Sequence, residues 1–390
     1  LAGAIGSGNF NGRLIQYNRK TGQHRNVTVW PELAGMGTGA GDLKYRFQWT
    51  YPILYSRHEQ DALYVAGNRI FRSTDDGASW EVVSDDLTRA DPSRLGPSGG
   101  PITKDNTGAE IYGTVFTIAE SPVQKGLLWA GSDDGLIHIS HDGGESWTNV
   151  TPPDLPEWTL ISLIEASPQE ADAAYVAANR YKHDDFQPYL YKTTDAGESW
   201  TKITGGIPDD DFTRVIREDP NQRGLLYAGT ETGIYVSYDD GVNWRRLGGN
   251  LPVVPIHDFV LTDDDLVVAT HGRSFWILDD ISLIRQLAAQ DASGKVTLFK
   301  PRDSVRYGSM YGYGHSPVTG KNYAFAATQV PAYMYRKEPD GEVKVELLDA
   351  GENPPDGVVI TYILSEEPQE TIKLTILDGQ GKELQSFDSK

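Results

Sequence analysis

Four copies of one short pattern constrain this chain more than any other feature of its sequence. Each copy reads Ser or Thr, any residue, Asp, any residue, Gly, two further residues and Trp. The copies begin at Ser73, Ser140, Thr193 and Ser237. Because each copy follows the same kind of alternating strand pair, the pattern predicts a repeat array whose units share one turn.

The residue types in the pattern predict a tight hairpin turn. An Asp side chain accepts hydrogen bonds from backbone N–H groups two residues on, and Gly adopts positive φ without strain. The Trp begins the next strand, where its ring can fold over the turn and bury a large apolar area. The flanking segments 62–67, 69–72 and 80–84 alternate as strands do.

The pattern resembles the Asp-box (bacterial neuraminidase) repeat of sialidases, sortilins and xyloglucan-hydrolase-type β-propellers, over the greater part of the chain. In those families the Asp box lies on the outer turn between the third and fourth strands of a blade, away from the substrate. The resemblance implies that the following residues are structural and bind no ligand: Asp75, Gly77, Trp80, Asp142, Gly144, Trp147, Asp195, Gly197, Trp200, Asp239, Gly241 and Trp244.

The predicted fold is all-β. We predict a β-propeller over 1–285 with six recognisable blades, seven when the ring is closed, and an aromatic-rich connecting segment packed on it over 286–340. A partial sandwich of immunoglobulin or fibronectin type is predicted over 341–390. The first hairpin, near 12–29, resembles the outer half of a blade. Since a propeller must close to protect its edges, we expect the rest of the polypeptide or another chain to complete the ring.

Composition narrows the classes of partner. Acidic residues outnumber basic ones by 55 to 35, and the resulting net charge of −20 argues against nucleic acid as a partner. The chain has no cysteine for disulfide or thiol chemistry, and no run of about 18 apolar residues that would span a membrane. It opens without Met, as a processed or truncated chain does, and its resemblance to secreted families implies an extracellular or periplasmic location.

Candidate catalytic residues come from the loops that surround the central channel of a propeller, where ligands usually bind. In this chain those loops are dense in carboxylates. Glycoside hydrolysis needs two carboxylates, one to protonate the leaving oxygen and one to activate water or attack carbon. The predicted pair is Asp185 and Asp211, with Asp134 and Glu231 as the next candidates.

The same loops supply candidates for binding. Trp158 can stack on a sugar ring, and the other predicted substrate-binding residues are Tyr181, Arg180, His257, His271 and Arg273. The alternative use of the acidic loops is a structural Ca²⁺ ion at Asp209–Asp211 or His183–Asp185. A transition metal held by His257, His271 and Asp258 is a further alternative. Hydrolysis itself requires no cofactor.

Two functions are open from the sequence. The leading one is a secreted carbohydrate-active propeller, a glycoside hydrolase-like protein that acts on a polysaccharide. The alternative is a non-catalytic propeller that binds a protein partner or a glycan, as a sortilin-like receptor or assembly module does. The chain resembles the second propeller and following β-domain of large bacterial secreted proteins that carry Asp boxes and a sortilin-like propeller and are labelled glycosyl hydrolases. The missing early Arg-Ile-Pro disfavours a sialidase, and the missing cysteines disfavour a true sortilin.

Overall fold

The computed structural model describes residues 13–32, 37–105, 111–289, 294–304, 319–323, 332–348 and 357–389. The chain divides into two compact units, of which the first holds Leu1–Thr262 and Leu266–Ile277, and the second Asp263–Asp265 and Leu278–Lys390. The described residues of both units are built almost wholly of antiparallel strands. No helix among them is long and apolar enough to cross a membrane.

The first unit is a series of antiparallel sheets that follow one another along the chain. It begins with a hairpin of β1 (Ile15–Tyr17) and β2 (His24–Asn26). Blade 1 comprises β3 (Ile53–Tyr55), β4 (Leu63–Ala66), β5 (Ile70–Ser73) and β6 (Glu81–Val82). Blade 2 comprises β7 (Val115–Glu120), β8 (Leu128–Ser132), β9 (Ile137–Ser140) and β10 (Thr148–Asn149). Blade 3 comprises β11 (Leu160–Ala166), β12 (Ala174–Arg180), β13 (Asp185–Thr193) and β14 (Thr201–Lys202).

The last two sheets of the unit continue this order. Blade 4 comprises β15 (Thr213–Glu218), β16 (Leu226–Thr230), β17 (Ile234–Ser237) and β18 (Arg245–Arg246). Blade 5 has three described strands, β19 (Ile256–Leu261), β20 (Leu266–Thr270) and β21 (Phe275–Leu278). Two one-turn 3-10 helices, Ala40–Asp42 and Tyr181–His183, lie in connecting segments.

Consecutive blades pack face to face. The first strand of each blade contacts the first strand of the next, from β3 to β7, β11, β15 and β19. Buried clusters lie between blades, as where Trp129 of β8 shares a cluster with Ile164 of β11 and Tyr189 of β13. Because neighbouring blades cover both faces of a sheet, β8 and β16 are buried along their whole length. This succession of sheets is a β-propeller, and the prediction of an all-β propeller fold is confirmed.

The four copies of the repeated pattern, called Asp boxes below for the repeat they resemble, form the turns between the third and fourth strands of blades 1 to 4. In the third copy, the hydroxyl of Thr193 donates to Oδ1 of Asp195 at 2.7 Å, and the backbone N–H of Ser199 donates to the same oxygen at 2.9 Å. The N–H of Gly197 donates to the Thr193 hydroxyl at 2.9 Å. The other copies repeat these contacts. Such hydrogen bonds to the carboxylate lower the pKa of Asp75 to about 2.

The first hairpin takes the place of the outer half of a blade. The Nε1 of Trp147, in the box of blade 2, donates to the carbonyl oxygen of Val83, which directly follows the last strand of blade 1. Trp80, in the box of blade 1, makes the same bond to Val27, which directly follows β2. The hairpin therefore relates to blade 1 as blade 1 relates to blade 2, as the sequence indicates.

The second unit contains one helix and short antiparallel sheets among its described residues. The helix is α1 (Ser282–Ala289). The strand β22 (Val296–Leu298) pairs with β26 (Tyr362–Leu364). A three-stranded sheet contains β23 (Gly320–Tyr323), β24 (Ala332–Lys337) and β25 (Val343–Leu347). A final hairpin contains β27 (Lys373–Leu377) and β28 (Glu383–Asp388). Of the aromatic residues of the connecting segment, Tyr307, Tyr311 and Tyr313 lie outside the described residues.

Candidate functional site

A cavity of about 520 Å³ lies where the first strands of the blades converge. It opens at the end of the propeller that carries the loops between second and third strands, and we call it the top pocket. Its walls come from blades 1 to 5. The lining residues are Gln48, Trp49, Thr50, Phe116, Leu160, Ser162, Asn179, Tyr181, Lys182, Arg214 and His257.

A repeated backbone irregularity builds the wall of the top pocket. The first strands of blades 2 to 5 each carry one extra residue relative to their neighbouring strand. A β-bulge of this kind bends its strand and re-aims the side chain of the extra residue. The four extra residues are Phe116, Ser162, Arg214 and His257, and all four line the top pocket.

Arg214 is the most firmly positioned cation of the pocket. Its Nε and Nη2 both donate to Oε2 of Glu231, at 2.9 and 2.6 Å. Its guanidinium lies 5.3 Å from the ring centroid of Tyr181 and 4.9 Å from that of Phe212. The two rings stack on each other at 5.0 Å. One carboxylate and two aromatic rings therefore hold the guanidinium in place.

His257 lies beside this cation. Burial lowers the pKa of His257, and the charges of Arg214 and His271 lower it further, against an opposing effect of Glu231. The rings of His257 and His271 lie 4.6 Å apart. The neutral imidazole is therefore favoured, and it can both donate and accept a hydrogen bond.

A smaller cavity of about 70 Å³ adjoins the top pocket and shares five of its lining residues. It is lined by Gln48, Ile111, Tyr112, Phe116, Asp133, Trp158, Leu160, Asn179, Arg180, Lys182 and His183. Both oxygens of Asp133 accept hydrogen bonds of 2.8 Å from Thr114. Burial raises the pKa of Asp133 to about 7. Among the described residues, no Asp or Glu other than Asp133 lines either cavity, and Asp133 lines the smaller one.

Two of the predicted catalytic carboxylates are buried and hydrogen-bonded. Asp211 is 3% exposed and accepts hydrogen bonds from the hydroxyls of Thr230, Thr232 and Tyr235 and from the N–H of Thr232. Asp134 is 2% exposed and accepts from the Ser132 hydroxyl at 2.6 Å. These contacts give each carboxylate a role in holding its loop.

The other two predicted carboxylates are more accessible. The side chain of Asp185 is 24% exposed, and it accepts from the hydroxyl of Tyr189 at 2.7 Å and lies 3.6 Å from Nε of Arg180. The side chain of Glu231 is 36% exposed and is paired with Arg214 as described above. Neither carboxylate lines the top pocket or the smaller cavity.

The predicted substrate-binding residues are divided among three locations. Tyr181 and His257 line the top pocket. Trp158 and Arg180 line the smaller cavity, where the guanidinium groups of Arg89 and Arg94 lie about 5 Å from the Trp158 ring. Two predicted residues, His271 and Arg273, are exposed and line neither cavity.

The metal alternatives gain no support from the described residues. Asp258, one of the predicted ligands, is paired with Arg217 at 2.9 Å. No group of three His, Cys, Asp or Glu side chains in the described part of the chain is placed to hold a metal ion. A structural Ca²⁺ ion stays a prediction.

Several residues that line the top pocket were not predicted from the sequence. Trp49 has a side chain exposed at the pocket, with 61% of its surface accessible, and it precedes the first strand of blade 1. Phe116, Ser162 and Arg214 lie within inner strands, where alternation alone predicts no site. Lys182 directly follows Arg180 and Tyr181, which the sequence predicts to bind substrate, so the same signal could have identified Lys182.

The chain is similar to xyloglucanases and to a photosystem assembly protein. It is 27% identical over 153 residues to xyloglucanase Xgh74A of Acetivibrio thermocellus, covering 36% of this chain and 18% of the relative. It is 23% identical over 305 residues to a probable oligoxyloglucan-reducing end-specific xyloglucanase of Neosartorya fischeri, covering 70% and 35%. It is 33% identical over 152 residues to the photosystem II assembly lipoprotein Ycf48 of a Synechococcus, covering 37% and 35%.

These similarities cover only part of each relative, because the chain spans about a third or less of their length. No protein-family model matches the chain. The structure is partly similar to that of an ancestral GH74 enzyme, with a TM-score of 0.45 and 16% identity, over 93% of this chain and 40% of that one. It is also partly similar to YCF48 bound to D1 peptide, with a TM-score of 0.45 and 15% identity, over 71% of this chain and 74% of that one. In sequence, the chain is therefore similar to xyloglucanases over part of their length, and the predicted sortilin-like relationship stays a prediction.

Proposed function

We propose that this chain is a glycan-binding propeller whose top pocket holds a sugar chain without hydrolysing it. The observation that carries the proposal is the make-up of the pocket wall. The lining combines the aromatic rings of Trp49 and Tyr181 with the amides of Gln48 and Asn179 and the guanidinium of Arg214. Pockets of this kind stack a ligand on aromatic faces and orient it through a few polar groups.

The placement of the carboxyl groups supports binding without hydrolysis. Glycoside hydrolysis needs two of them on opposite sides of the scissile bond. Asp133 alone lines the cavities among the described residues, and both its oxygens are engaged by Thr114. Asp134 and Asp211 are buried in their loops. The arrangement therefore favours a binding role over the acid and base chemistry predicted for these loops.

Hydrolysis is the second candidate function. The similarity to xyloglucanases favours it, as does the partial exposure of Asp185 and Glu231 on the loops of neighbouring blades. In this alternative the two carboxylates act on a glycan that the top pocket holds. A binding site for a protein partner is the remaining alternative, and an extracellular or periplasmic location, carried by the same similarity, is part of the proposal.

The experiment is a binding and turnover screen on the whole chain with soluble xyloglucan, mixed-linkage β-glucan and polygalacturonate. We expect binding of at least one glycan, without new reducing ends, and about tenfold weaker binding by Trp49→Ala because a stacking face is lost. Trp30→Ala is the matched control, since Trp30 is also exposed but does not line the pocket. Release of reducing ends that Asp185→Asn or Glu231→Gln abolishes would establish hydrolysis instead. Failure to bind any glycan would overturn the proposal.

A further inference from the structure

The top pocket is cationic in a strongly acidic chain. The formal net charge of the chain is −20. Yet the charged side chains that line the top pocket are Arg214 and Lys182, and no Asp or Glu is among its described lining residues. A low-dielectric cleft lined by one sign of charge concentrates that potential. The charged side chains of the pocket lining are therefore opposite in sign to the net charge of the chain.

The two cations are held differently. Arg214 is fixed by Glu231, which engages its Nε and Nη2. Because a guanidinium carries donors on three nitrogens, Nη1 is left for another acceptor. The ammonium of Lys182 lies 5.9 Å from the ring centroid of Tyr181. No carboxylate of the described residues lies within 4.0 Å of that ammonium, so its charge is not neutralised by an ion pair there.

Neutral groups surround these cations. Gln48 and Asn179 supply amides to the pocket lining, and Trp49 and Tyr181 supply aromatic faces. Amides and ring faces suit the hydroxyls and the flat apolar side of a sugar, whereas a cation adds most when the ligand carries a negative charge. A neutral sugar chain would form no ion pair with Lys182.

We propose that the ligand of the top pocket is an acidic glycan, in which the carboxylate of a uronate residue pairs with Lys182 and Arg214 while its ring lies against Trp49 or Tyr181. This inference rests on the glycan-binding function proposed above and names its ligand class. A carboxylate matches the pair of cations, because charge-assisted hydrogen bonds to a guanidinium or ammonium are stronger than neutral ones.

The test compares oligogalacturonate with the same oligomer after methyl esterification of its carboxylates, by titration calorimetry on the whole chain. The two probes share their backbone and differ in charge. We expect the acid to bind about tenfold more tightly than the ester, with an affinity that falls as salt rises. Lys182→Met should remove most of that preference, because it weakens binding of the acid more than binding of the ester, and Lys182→Arg should restore it. Lys182 is exposed, so these variants do not disturb the core.

The possible results distinguish failure of the acidic-glycan inference from failure of the proposed glycan-binding function. Equal affinity for acid and ester, or binding of neutral glycans alone, would overturn the acidic-glycan inference and leave glycan binding in place. A preference for the acid that survives both Lys182→Met and Arg214→Gln would also overturn it, because the carboxylate would bind elsewhere. Binding of peptides ending in a free carboxylate, with no glycan bound, would overturn both proposals.

Discussion

The indole Nε1 of Trp200 donates a hydrogen bond of 2.7 Å to the carbonyl oxygen of Val150, a residue of the preceding blade. Every Asp box makes this bond. The other pairs are Trp80 with Val27 at 3.0 Å, Trp147 with Val83 at 2.9 Å, and Trp244 with Ile203 at 2.7 Å. In each pair the acceptor directly follows the last strand of the preceding sheet. The box thus closes its own turn and also joins neighbouring blades.

The Gly of the box is expected to be as important as the Trp. Gly197 has φ of +86°, and a Cβ there would lie 2.8 Å from Cβ of the same Val150. Gly197→Ala should therefore lower the free energy of unfolding by about 3 kcal/mol, from backbone strain and from the clash with the preceding blade. The measurement is urea denaturation followed by tryptophan fluorescence.

Gly248→Ala is the matched control for this substitution. Gly248 has φ of +78°, but a Cβ there would meet nothing within 4 Å. It should cost only the strain of a left-handed alanine, about 1 kcal/mol. Equal losses at the two positions would contradict the role of the Asp-box Gly in the contact between blades.

A charged network spans three consecutive inner strands below the top pocket. Nη1 of Arg217 lies 2.7 Å from Oε2 of Glu165, and its Nη2 lies 2.9 Å from Oδ1 of Asp258. Arg217→Met would leave the partly buried Glu165 without its partner, so we expect a loss of about 3 kcal/mol in unfolding free energy. Arg223→Met, which removes an exposed pair with Glu170, should cost less than about 1 kcal/mol. Similar losses in the two variants would show that the network does not hold the inner strands together.

Local chemistry explains how much of the fold was predictable. The turn at Asp75 and Gly77 depends on contacts within a few residues, and such contacts can be inferred from residue types. The blades and the first hairpin followed from the same kind of pattern. The predicted loops around the channel also occupy the expected end of the strands. Structural features that depend on residues close together in the sequence are therefore predictable from residue types.

The wall of the top pocket was not predictable in the same way. Ser162 and Arg214 enter it because a bulge shifts the register against a neighbouring strand, which no periodicity in one strand reveals. The burial of the predicted carboxylates has distant causes as well. The N–H of Arg89 donates to Asp134 from 45 residues away, and Thr230 donates to Asp211 from 19 residues away. Residue type and loop position identify a carboxylate, but they do not identify its donors.

Asp211 and Asp185, the predicted catalytic pair, should differ sharply in what their removal costs. Asp211→Ala would remove the acceptor that four donors share at a buried site, so we expect the unfolding free energy to fall by about 3 kcal/mol. Asp185→Ala loses the hydrogen bond from Tyr189 at a partly exposed site and should cost about 1 kcal/mol. Thermal and urea unfolding of both variants provide the comparison. If Asp211→Ala were as stable as the wild type, the structural role of its hydrogen bonds would be refuted.

His138 on β9 lines an outer groove of the propeller. Burial lowers the pKa of His138 to about 4, and its Nδ1 has no hydrogen-bond partner among the described residues. The unfolded chain takes up this proton near its ordinary pKa of 6.5, whereas the folded chain takes it up only near pH 4. Stability from the neutral imidazole is therefore fully present above pH 6.5 and is lost as the pH falls from there to 4.

Replacing this histidine should reduce the acid sensitivity of the fold. The lost stability amounts to at most about 3 kcal/mol, since one pKa unit corresponds to about 1.4 kcal/mol and solvent reaches part of the ring. His138→Gln cannot take up the proton, so its unfolding free energy should fall less steeply than that of the wild type between pH 6.5 and 4. Other groups lining the groove, Glu59, Arg72 and Asp142 among them, are unchanged in the variant, so the difference between the two pH profiles isolates His138. His141→Gln, at an exposed histidine of the adjacent turn, serves as control. Parallel profiles for His138→Gln and wild type would mean that burial of His138 does not contribute to the pH dependence of folding.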